Sequence, residues 1–440
     1  MEFSTALAAE EEKLLACVHC GLCLEACPTY VATGNENDGP RGRLYLMRAV
    51  AEDRLKNTST VFATHIDRCL GCRACELVCP AGVQYGQLLE ASREVLFESQ
   101  PKSDIPSRLL RLALKHIWLS PRRLKLFFTA SRLFRDLGLA RVLIKLRLAR
   151  LLSRRAEFGL ALLESSRSVF RNEPSLGAAP AKQPAEQVLL FSGCVGEGLF
   201  GRVNRATERV LRSSGYQVTT PTNQVCCGAL HAHAGDIEGA RQLAQRNLAA
   251  FESDAPIITN AGGCGAMLKT YGHLFANDTK LAQPAAAFST RVLDVSQQLD
   301  RGGLRTASAP VEKAVTYDTS CHLLYGQQSG ETSERMVREV MGGKFIALNG
   351  TERCCGAAGI YNLMQPVMSR RVLDDKLNHV RATHADLLAT GNPGCQMHIG
   401  AGACLSGMKL QVCHPIELVD RAYENAGFYD RRHDGKQNAQ

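Results

Sequence analysis

The sequence is poor in aromatic residues, which make up 6% of its 440 residues and include a single tryptophan. It has no uninterrupted apolar run near the roughly 18 residues of a membrane-spanning helix. It also lacks a glycine-rich nucleotide fingerprint, a nucleophile elbow and a paired acid and base. The first twelve residues contain no lysine, arginine or long apolar core before Lys13, so we expect no secretory signal. These absences disfavour an integral membrane protein, a nucleotide-dependent enzyme and a disulfide-stabilised secreted protein.

Cysteine, by contrast, is abundant, and eight of the eighteen cysteines form two identical motifs. Each motif has the spacing C-x2-C-x2-C-x3-C-P, which is typical of bacterial two-cluster ferredoxins, where the fourth cysteine of each run binds the other run's cluster. The sequence therefore predicts two [4Fe-4S] clusters and an electron-transfer role. The predicted metal ligands are Cys17, Cys20, Cys23 and Cys79 for the first cluster, and Cys69, Cys72, Cys75 and Cys27 for the second.

Two other uses of these cysteines fit the spacing less well. Zinc takes four ligands, commonly from two C-x2-C pairs, and two runs of four cysteines do not divide in that way. A disulfide framework needs an oxidising compartment, for which we expect no export signal here. Between the motifs, apolar residues recur at helical spacing over 41–55, which favours an α-helical ferredoxin over the compact β-rich type.

The C-terminal half contains an internal repeat with an offset of 127 to 131 residues. In each copy a β-branched or aromatic segment leads to a cysteine, a Cys-Cys-Gly sequence follows, and a glycine-flanked cysteine comes last. Strand, helix and strand in succession predict α/β domains with largely parallel sheets, whose cysteines meet at the carboxyl ends of the strands. The candidate ligands are Cys194, Cys226, Cys227 and Cys264 in the first copy, and Cys321, Cys354, Cys355 and Cys395 in the second.

The role of these repeated cysteines stays open between two interpretations. Glycine after the cysteine pair lets the backbone bend, so that adjacent thiols can bind one further iron–sulfur cluster. Alternatively, the cysteines pack as small apolar side chains in a remnant or interface site. Cys404 and Cys413 fall outside both repeat patterns and are not expected to be ligands.

These features predict an α+α/β multidomain protein, in which an α-helical ferredoxin precedes two repeated α/β cysteine-rich domains. The expected divisions are residues 1–100 for the ferredoxin domain, 101–185 for a basic helical linker, 186–305 for the first cysteine-rich domain and 306–430 for the second. A proline- and alanine-rich segment over 171–184 is expected to be a flexible boundary.

The net charge of the chain is +9, yet the segment 101–155 alone contains fifteen lysines and arginines against two aspartates. We therefore expect the basicity to be local and to serve docking onto anionic lipid or an acidic partner. The residues of one apolar stripe are instead expected to pack on the chain's own ferredoxin domain. That stripe consists of Leu139, Val142, Leu143, Leu146 and Ala149.

Several motifs carry a family resemblance. The pairs Cys226-Cys227-Gly228 and Cys354-Cys355-Gly356 resemble those of heterodisulfide reductase, anaerobic glycerol-3-phosphate dehydrogenase and lactate-utilisation proteins. Together with Ala16-Cys-Val-His-Cys-Gly-Leu-Cys23, Asp38-Gly-Pro-Arg-Gly-Arg43 and Asp67-Arg-Cys-Leu-Gly-Cys72, they make the chain most similar to glycolate oxidase iron-sulfur subunits. The resemblance covers nearly the whole chain and is weakest over 100–185.

This resemblance implies an electron-transfer subunit with no catalytic residues of its own. It would accept electrons from FAD-containing partner subunits that oxidise glycolate, or also D-lactate, and pass them towards a membrane quinone. The expected location is cytoplasmic, with peripheral contact on the inner face of the cytoplasmic membrane.

One alternative is a heterodisulfide-reductase-like, D-lactate dehydrogenase or glycerol-3-phosphate dehydrogenase subunit with a catalytic cysteine-rich site. In heterodisulfide reductase the last cysteine of each copy begins a C-x2-C pair, whereas this chain has Met267 and His398 at the second positions. His398 is expected to be structural, although it could substitute as a ligand. A nucleic-acid-binding role for the basic segment is disfavoured, because no nucleic-acid fold signature accompanies the charge.

Overall fold

The structure is a computed structural model that describes residues 6–99, 104–170, 172–174, 186–305 and 312–429. Its N-terminal region is helical, and every strand described in the chain lies beyond residue 186, which confirms the helical ferredoxin. The helix predicted between the two motifs is present and begins at Pro40, which has no N–H group to leave unpaired at a helix start. The helices are α1 Glu11–Leu15, α2 Pro28–Thr33, α3 Pro40–Ala51, α4 Thr60–Asp67, α5 Ala74–Leu77 and α6 Tyr85–Ser99, with 3-10 turns at Ala8–Glu10 and Glu36–Asp38.

A compact apolar core lies beneath the cysteine loops of this region. Met47 of α3, Phe62 and Ile66 of α4 and Leu88 of α6 are fully buried in it. Burial of such side chains contributes roughly 1.5 to 3 kcal/mol each, so this core holds the short helices that carry the cysteines.

Helices continue through the basic segment, but the predicted apolar stripe does not pack on a core. Leu139, Val142 and Leu146 are exposed and Ala149 is buried, so the prediction that the whole stripe packs is wrong. Arg147 has a left-handed backbone that divides the segment into two short helices, and the stripe therefore has no single face. The predicted boundary 171–184 lies outside the described residues except for 172–174. The helices here are α7 Ile105–Ala113, a π-helical turn Leu114–Trp118, α8 Pro121–Asp136, α9 Leu139–Lys145, α10 Leu148–Leu152 and α11 Arg154–Ser165.

The first repeat contains a four-stranded parallel sheet in the order β2-β1-β3-β4. Its middle strands are fully apolar or nearly so, as expected for a sheet covered by helices on both faces. The strands are β1 Gln187–Phe191, β2 Gln217–Thr219, β3 Ile257–Thr259 and β4 Val292–Asp294. The helices are α12 Cys194–Ser213, α13 Ala229–Ala234, α14 Ile237–Ala250, α15 Gly262–Lys269, α16 Tyr271–Leu274, α17 Ala282–Thr290 and α18 Val295–Gly302.

The second repeat has the same topology, with a parallel sheet in the order β6-β5-β7-β8. The matching order confirms the internal repeat and the predicted α/β class. The strands are β5 Val315–Asp318, β6 Phe345–Ile346, β7 Leu387–Thr390 and β8 Gln411–Cys413. The helices are a π-helical turn His322–Gly326, α19 Gly330–Met341, a 3-10 turn Gly342–Lys344, α20 Tyr361–Met364, α21 Pro366–Ala382, α22 Pro393–Leu405 and α23 Pro415–Asn425.

The chain forms two compact units that do not follow the order of the sequence. The N-terminal unit contains Met1–Arg123 together with Gly228–Leu243, which follows the first cysteine pair, and Arg353–Lys376, which contains the second Cys-Cys-Gly sequence. The other unit contains Leu124–Cys227, Ala244–Glu352 and Leu377–Gln440. Among the described residues, no helix combines the length and apolar character needed to cross a bilayer.

Candidate metal centres

The first predicted set of cysteines lines a single space in the N-terminal unit. Cys17, Cys20 and Cys23 come from the loop after α1, and Cys79 comes from the loop after α5. Cys75 lines the same space from α5. Burial raises the pKa of the Cys23 thiol, and the neighbouring thiols of Cys17 and Cys20 add to that rise.

The second predicted set lines another space in the same unit. Cys27, Cys69, Cys72 and Cys75 surround it, so Cys75 faces both spaces. The pKa values of Cys72 and Cys75 are raised chiefly by burial. A thiol must lose its proton to bind iron, so loading these sites releases protons.

A buried arginine stands beside the second set. The Arg43 side chain is 1% exposed, and its guanidinium donates to the His65 carbonyl at 2.7 Å and to Thr29 Oγ1 at 3.0 Å. Arg43 Nη1 also lies 3.9 Å from Cys27 Sγ. Burial alone would lower the pKa of Arg43, but the thiols of Cys69 and Cys27 and other nearby acidic groups raise it overall. Arg43 therefore places a fixed positive charge at the candidate cluster.

A network of hydrogen bonds fixes the loop that contains Cys69. The buried carboxylate of Asp38 accepts from His65 Nδ1 at 2.7 Å and from Arg68 Nη1 at 3.0 Å. Tyr85 OH donates to Cys69 Sγ at 3.6 Å, and Arg93 Nη2 donates to the Cys69 carbonyl at 2.7 Å. The cysteine spacing does not predict roles for these residues, although Asp38 and Arg43 lie in the Asp-Gly-Pro-Arg-Gly-Arg sequence that contributes to the resemblance.

The residues present fit two iron–sulfur clusters. The first space is lined by its four predicted cysteines and by Cys75, the second is lined by its four predicted cysteines, and hydrogen-bond donors surround the second. Within the described ranges, no three His, Cys, Asp or Glu side chains are grouped as ligands of a single metal ion; the thiols instead lie around the walls of the two spaces. No disulfide joins any of the eighteen cysteines, all of which belong to described segments.

The cysteines of the first repeat come together at one end of its sheet. Cys194 follows β1 and Cys264 follows β3, and these neighbouring strands flank the point where the strand order reverses. Cys194 Sγ lies 3.3 Å from Cys226 Sγ. A hydrogen bond with Cys226 lowers the pKa of Cys227, but a hydrogen bond with Cys264 and burial raise it more.

The backbone of the Cys226-Cys227 pair is fixed by two buried side chains. Asn247 Nδ2 donates to the Cys226 carbonyl at 3.1 Å, and Tyr271 OH donates to the Cys227 carbonyl at 2.8 Å. Gly228 then has φ +91° and the matching Gly356 has φ +85°, values that favour glycine. The bend expected after each cysteine pair is therefore present.

The cysteines of the second repeat are divided between the two compact units. Cys321 and Cys395 follow β5 and β7 in one unit, and Cys395 Sγ accepts from Asn392 Nδ2 at 3.4 Å. Asn392 Oδ1 also accepts from the backbone N–H of Gly263, beside Cys264, at 3.1 Å. A single amide thus links the neighbourhoods of the last cysteines of both repeats.

Cys354 and Cys355 are buried in the N-terminal unit, which also contains the ferredoxin cysteines. Cys354 Sγ accepts from the Gly356 N–H at 3.4 Å. After burial, the nearby Cys354 thiol contributes most to the raised pKa of Cys72. Tyr361 OH, seven residues after Cys354, donates to the Arg68 carbonyl at 2.8 Å. The Cys-Cys-Gly segment of the second repeat therefore lies beside the second ferredoxin set.

The remaining candidates have structural surroundings. His398 is buried and makes an edge-to-face contact with Phe158, with ring centroids 5.2 Å apart. Met267 is buried in α15. Cys413 is buried in β8, whereas Cys404 is exposed at the end of α22.

Two cysteine-lined spaces in a helical ferredoxin unit, followed by paired cysteine-rich α/β domains, define an iron–sulfur electron-transfer protein. A family model described as "4Fe-4S dicluster domain" matches residues 13–83, and one described as "Cysteine-rich domain" matches 188–269 and 315–400. The chain belongs to the family of glycolate oxidase iron-sulfur subunits.

The full-length relatives support that membership. The probable glycolate oxidase iron-sulfur subunit of Bacillus subtilis is 36% identical, over 95% of this chain and 95% of that protein. The glycolate oxidase iron-sulfur subunit of Escherichia coli is 31% identical, over 95% of this chain and 97% of that protein. Lactate utilization protein A of Oceanobacillus iheyensis is 30% identical over 53% of this chain and 96% of that protein.

Proposed function

We propose that this chain carries electrons within a complex that oxidises a small 2-hydroxy acid, with glycolate as the leading substrate. The relatives named as glycolate oxidase subunits match over nearly their whole length, and a lactate-utilisation protein matches in part. The observation that carries the proposal is the pair of cysteine-lined spaces that share a wall at Cys75. The oxidation itself belongs to FAD-containing partner subunits.

We propose the predicted ligand sets for the two clusters, with the fourth cysteine of each motif exchanged between them. Cys79 lines the space of the first motif and Cys27 lines that of the second, which supports the exchange. When bound, such clusters accept and release single electrons. The chain supplies the thiolates, the buried charge of Arg43 and the donors Tyr85 and Arg93 that surround the second site.

We propose that electrons pass from the ferredoxin clusters to the cysteine-rich domains. Cys354 lies beside Cys72, and four thiols meet in the first repeat, so the first repeat offers a ligand set for a further cluster. The divisions at residues 100, 185 and 305 are retained as a proposal for the limits of these sequence domains.

We further propose peripheral contact with the inner face of the cytoplasmic membrane, where a quinone would be the terminal acceptor. Nine basic residues and many exposed apolar residues are interspersed over 124–155, and this combination favours a surface of anionic lipid. The exposed apolar side chains are Leu126, Phe127, Leu133, Leu137, Leu139, Val142, Leu146, Leu148, Leu151 and Leu152.

Electron paramagnetic resonance on the tagged complex, isolated anaerobically from its native cell, tests the function. Addition of glycolate should produce a reduced-cluster signal within the turnover time. Cys20→Ser or Cys72→Ser should slow delivery to quinone while the partner flavin is still reduced. Cys404→Ser is the matched control, because Cys404 is exposed and lies outside both sets. A reduced-cluster signal with D-lactate but not with glycolate would identify D-lactate as the substrate. If neither acid produced a signal although dithionite reduces the clusters, the proposed electron transfer would be refuted.

A further inference from the structure

A cavity of about 290 Å³ lies within the N-terminal unit, away from the two cysteine-lined spaces. Its wall combines α6, α7 and the two segments that follow the Cys-Cys-Gly sequences. The lining is mixed: aromatic and aliphatic side chains lie beside groups that donate hydrogen bonds and beside the carboxylates of Asp67 and Asp104. The lining residues that matter here are Arg93, Phe97, Arg111, His233, Tyr361 and Gln365. Its size suits one substituted ring, near the lower limit of ordinary ligand pockets.

Two of these lining residues also hold the backbone of the second cluster loop. Arg93 Nη2 donates to the carbonyl of Cys69 at 2.7 Å, and Tyr361 OH donates to the carbonyl of Arg68 at 2.8 Å. A ring in the cavity is therefore separated from the Cys69 loop by a single layer of side chains. That separation places the cavity where a redox-active ligand can exchange electrons with the second site.

Helix α7 has one face in the wall of this cavity and another face that is exposed. One face of α7 contributes Ser107, Leu110 and Arg111 to the cavity wall. The other face exposes Ile105, Leu109 and Leu112, whose exposed fractions are 73%, 61% and 54%. Positions i, i+4 and i+7 form a continuous stripe, so α7 presents an apolar surface on one side and the cavity on the other.

We propose that this cavity binds the ring of a lipid-soluble quinone. The exposed apolar stripe on the outer face of α7 suits contact with lipid that contains such a ligand, and the arginine and imidazole side chains of the lining suit the two quinone carbonyls. Reduction consumes two electrons, delivered one at a time, and two protons, and it yields the quinol. The electron supply rests on the proposed function, whereas binding of the ring does not.

The single tryptophan gives a direct binding assay. Leu114, which lines the cavity, begins the π-helical turn that ends at Trp118, so a bound quinone should quench the protein's fluorescence. The anaerobic, cluster-loaded full chain is titrated with a ubiquinone that has one isoprene unit, and N-acetyltryptophanamide corrects for collisional quenching. We expect saturable quenching that Ala234→Phe, which fills the cavity from α13, reduces at least tenfold in affinity.

The matched control is Leu363→Gln. Leu363 is exposed and lies in α20 between the lining residues Tyr361 and Met364, but it is not part of the wall. This variant should bind like the unmodified chain. If Ala234→Phe does not fold, Arg111→Met tests the same cavity, with an expected affinity loss of about tenfold from one charge-assisted hydrogen bond.

The outcomes separate this proposal from the proposed function. Quenching that does not saturate, or that persists unchanged in both cavity variants, would overturn the quinone site even if glycolate reduces the clusters. Displacement of the quinone by millimolar glycolate or D-lactate would instead make the cavity a carboxylate site and overturn the proposal. Saturable, variant-sensitive binding in a complex whose clusters glycolate does not reduce would support the site and refute the electron supply.

Discussion

At the scale of single residues, Arg43 shows how a side chain that is not a ligand can change the reduction potential of a cluster. Its guanidinium is buried 3.9 Å from Cys27 Sγ and is held by the His65 carbonyl and Thr29. A fixed positive charge stabilises the reduced, more negative state of a cluster more than the oxidised state. Arg43 should therefore raise the reduction potential of the second site.

Replacing Arg43 by glutamine tests this effect. We expect the midpoint potential of one cluster to fall by about 60 mV or more, the one-electron equivalent of roughly 1.4 kcal/mol. Arg43→Lys keeps the charge and should restore most of the potential. The control is Arg48→Gln, which removes an exposed arginine of the same helix that pairs with Glu52. Redox titration followed by electron paramagnetic resonance gives the result, and an unchanged potential in Arg43→Gln would contradict the assignment.

A second residue-scale prediction concerns pH. His414 is buried, its Nε2 donates to the Asn260 carbonyl at 2.7 Å, and its Nδ1 accepts from the Ile416 N–H at 3.1 Å. Burial lowers the pKa of His414 to about 4. Because the unfolded chain binds this proton near pH 6.5 and the folded chain does not, stability is lost as the pH falls below 6.5.

His414→Asn keeps a side-chain cap for α23 but cannot titrate. Between pH 7.5 and 5.5, we expect the unmodified chain to lose roughly 1 to 1.5 kcal/mol more than the variant. Urea unfolding of the cluster-free chain at the two pH values measures the difference. Equal losses in the two proteins would show that the His414 proton is not involved.

At this scale the sequence predicts the cysteine ligands but not the side chains that surround them. Cysteine ligands at fixed spacing can be recognised from the sequence, because few kinds of site require that pattern. Arg43, Asn247 and Asn392 could not be found in this way. Each acts through a contact with a thiol, a backbone carbonyl or a backbone N–H that only the folded chain brings close.

At the scale of elements, α9 and α10 differ most from expectation. Helical periodicity over 139–149 predicted one apolar face, but the left-handed Arg147 divides the segment, and both short helices pack on α11. Periodicity detected the helices, yet it could not reveal a break caused by one residue's backbone conformation. By contrast, α3 and α12 follow their patterns, because their apolar residues face a continuous core.

The end of α10 provides the element-scale prediction. Leu151 and Leu152 are 83% and 84% exposed beside Arg150, Arg154 and Arg155. Replacing both leucines by glutamate removes apolar contact and adds repulsion from anionic lipid. We expect at least a tenfold loss of binding to vesicles with phosphatidylglycerol.

Co-sedimentation with vesicles of one part phosphatidylglycerol to three parts phosphatidylcholine measures this binding. Leu363→Glu together with Val367→Glu is the control, since it changes two exposed apolar residues to the same charge elsewhere in the chain. If the control loses as much binding as the Leu151 and Leu152 variant, the loss reflects net charge, and the proposed lipid surface is wrong.

At the scale of the whole molecule, buried ion pairs join the two repeats within the larger unit. Arg209 of α12 donates two hydrogen bonds to the Asp420 carboxylate of α23, at 2.6 and 2.9 Å. Arg202 of α12 pairs with Glu417 of α23 at 2.8 Å. These elements are more than 200 residues apart in sequence, so the pairs connect the start of the first repeat to the end of the second.

Removing one partner of the Arg209 pair leaves an unpaired buried charge. Arg209→Met should therefore cost about 3 to 5 kcal/mol and lower the midpoint of urea unfolding. Changing Asp420 to leucine in the same chain should recover most of that loss. Arg212→Met, which removes an exposed pair with Glu208 in the same helix, should stay within about 1 kcal/mol. A double variant no more stable than Arg209→Met would contradict this account.

The arrangement of the whole chain was only partly predictable. The repeat offset and the cysteine motifs predicted the sequence of modules, and the matching sheet orders confirm it. The interleaving of the compact units has no local signal, because it depends on contacts such as Tyr361 with the Arg68 carbonyl, 293 residues away.

That interleaving also determines when, during synthesis of the chain, the N-terminal unit can finish folding. The unit that contains the ferredoxin cysteines includes residues up to Lys376 of 440. Its folding therefore cannot be completed until the ribosome has synthesised the chain as far as this residue. At about 5 to 20 residues per second, roughly 10 to 50 s pass between synthesis of the last ferredoxin residues and of the segment that completes the unit. During that interval the eight thiols are available to the cell's iron–sulfur assembly machinery, and the segment that contains Cys354 then completes the surroundings of Cys72.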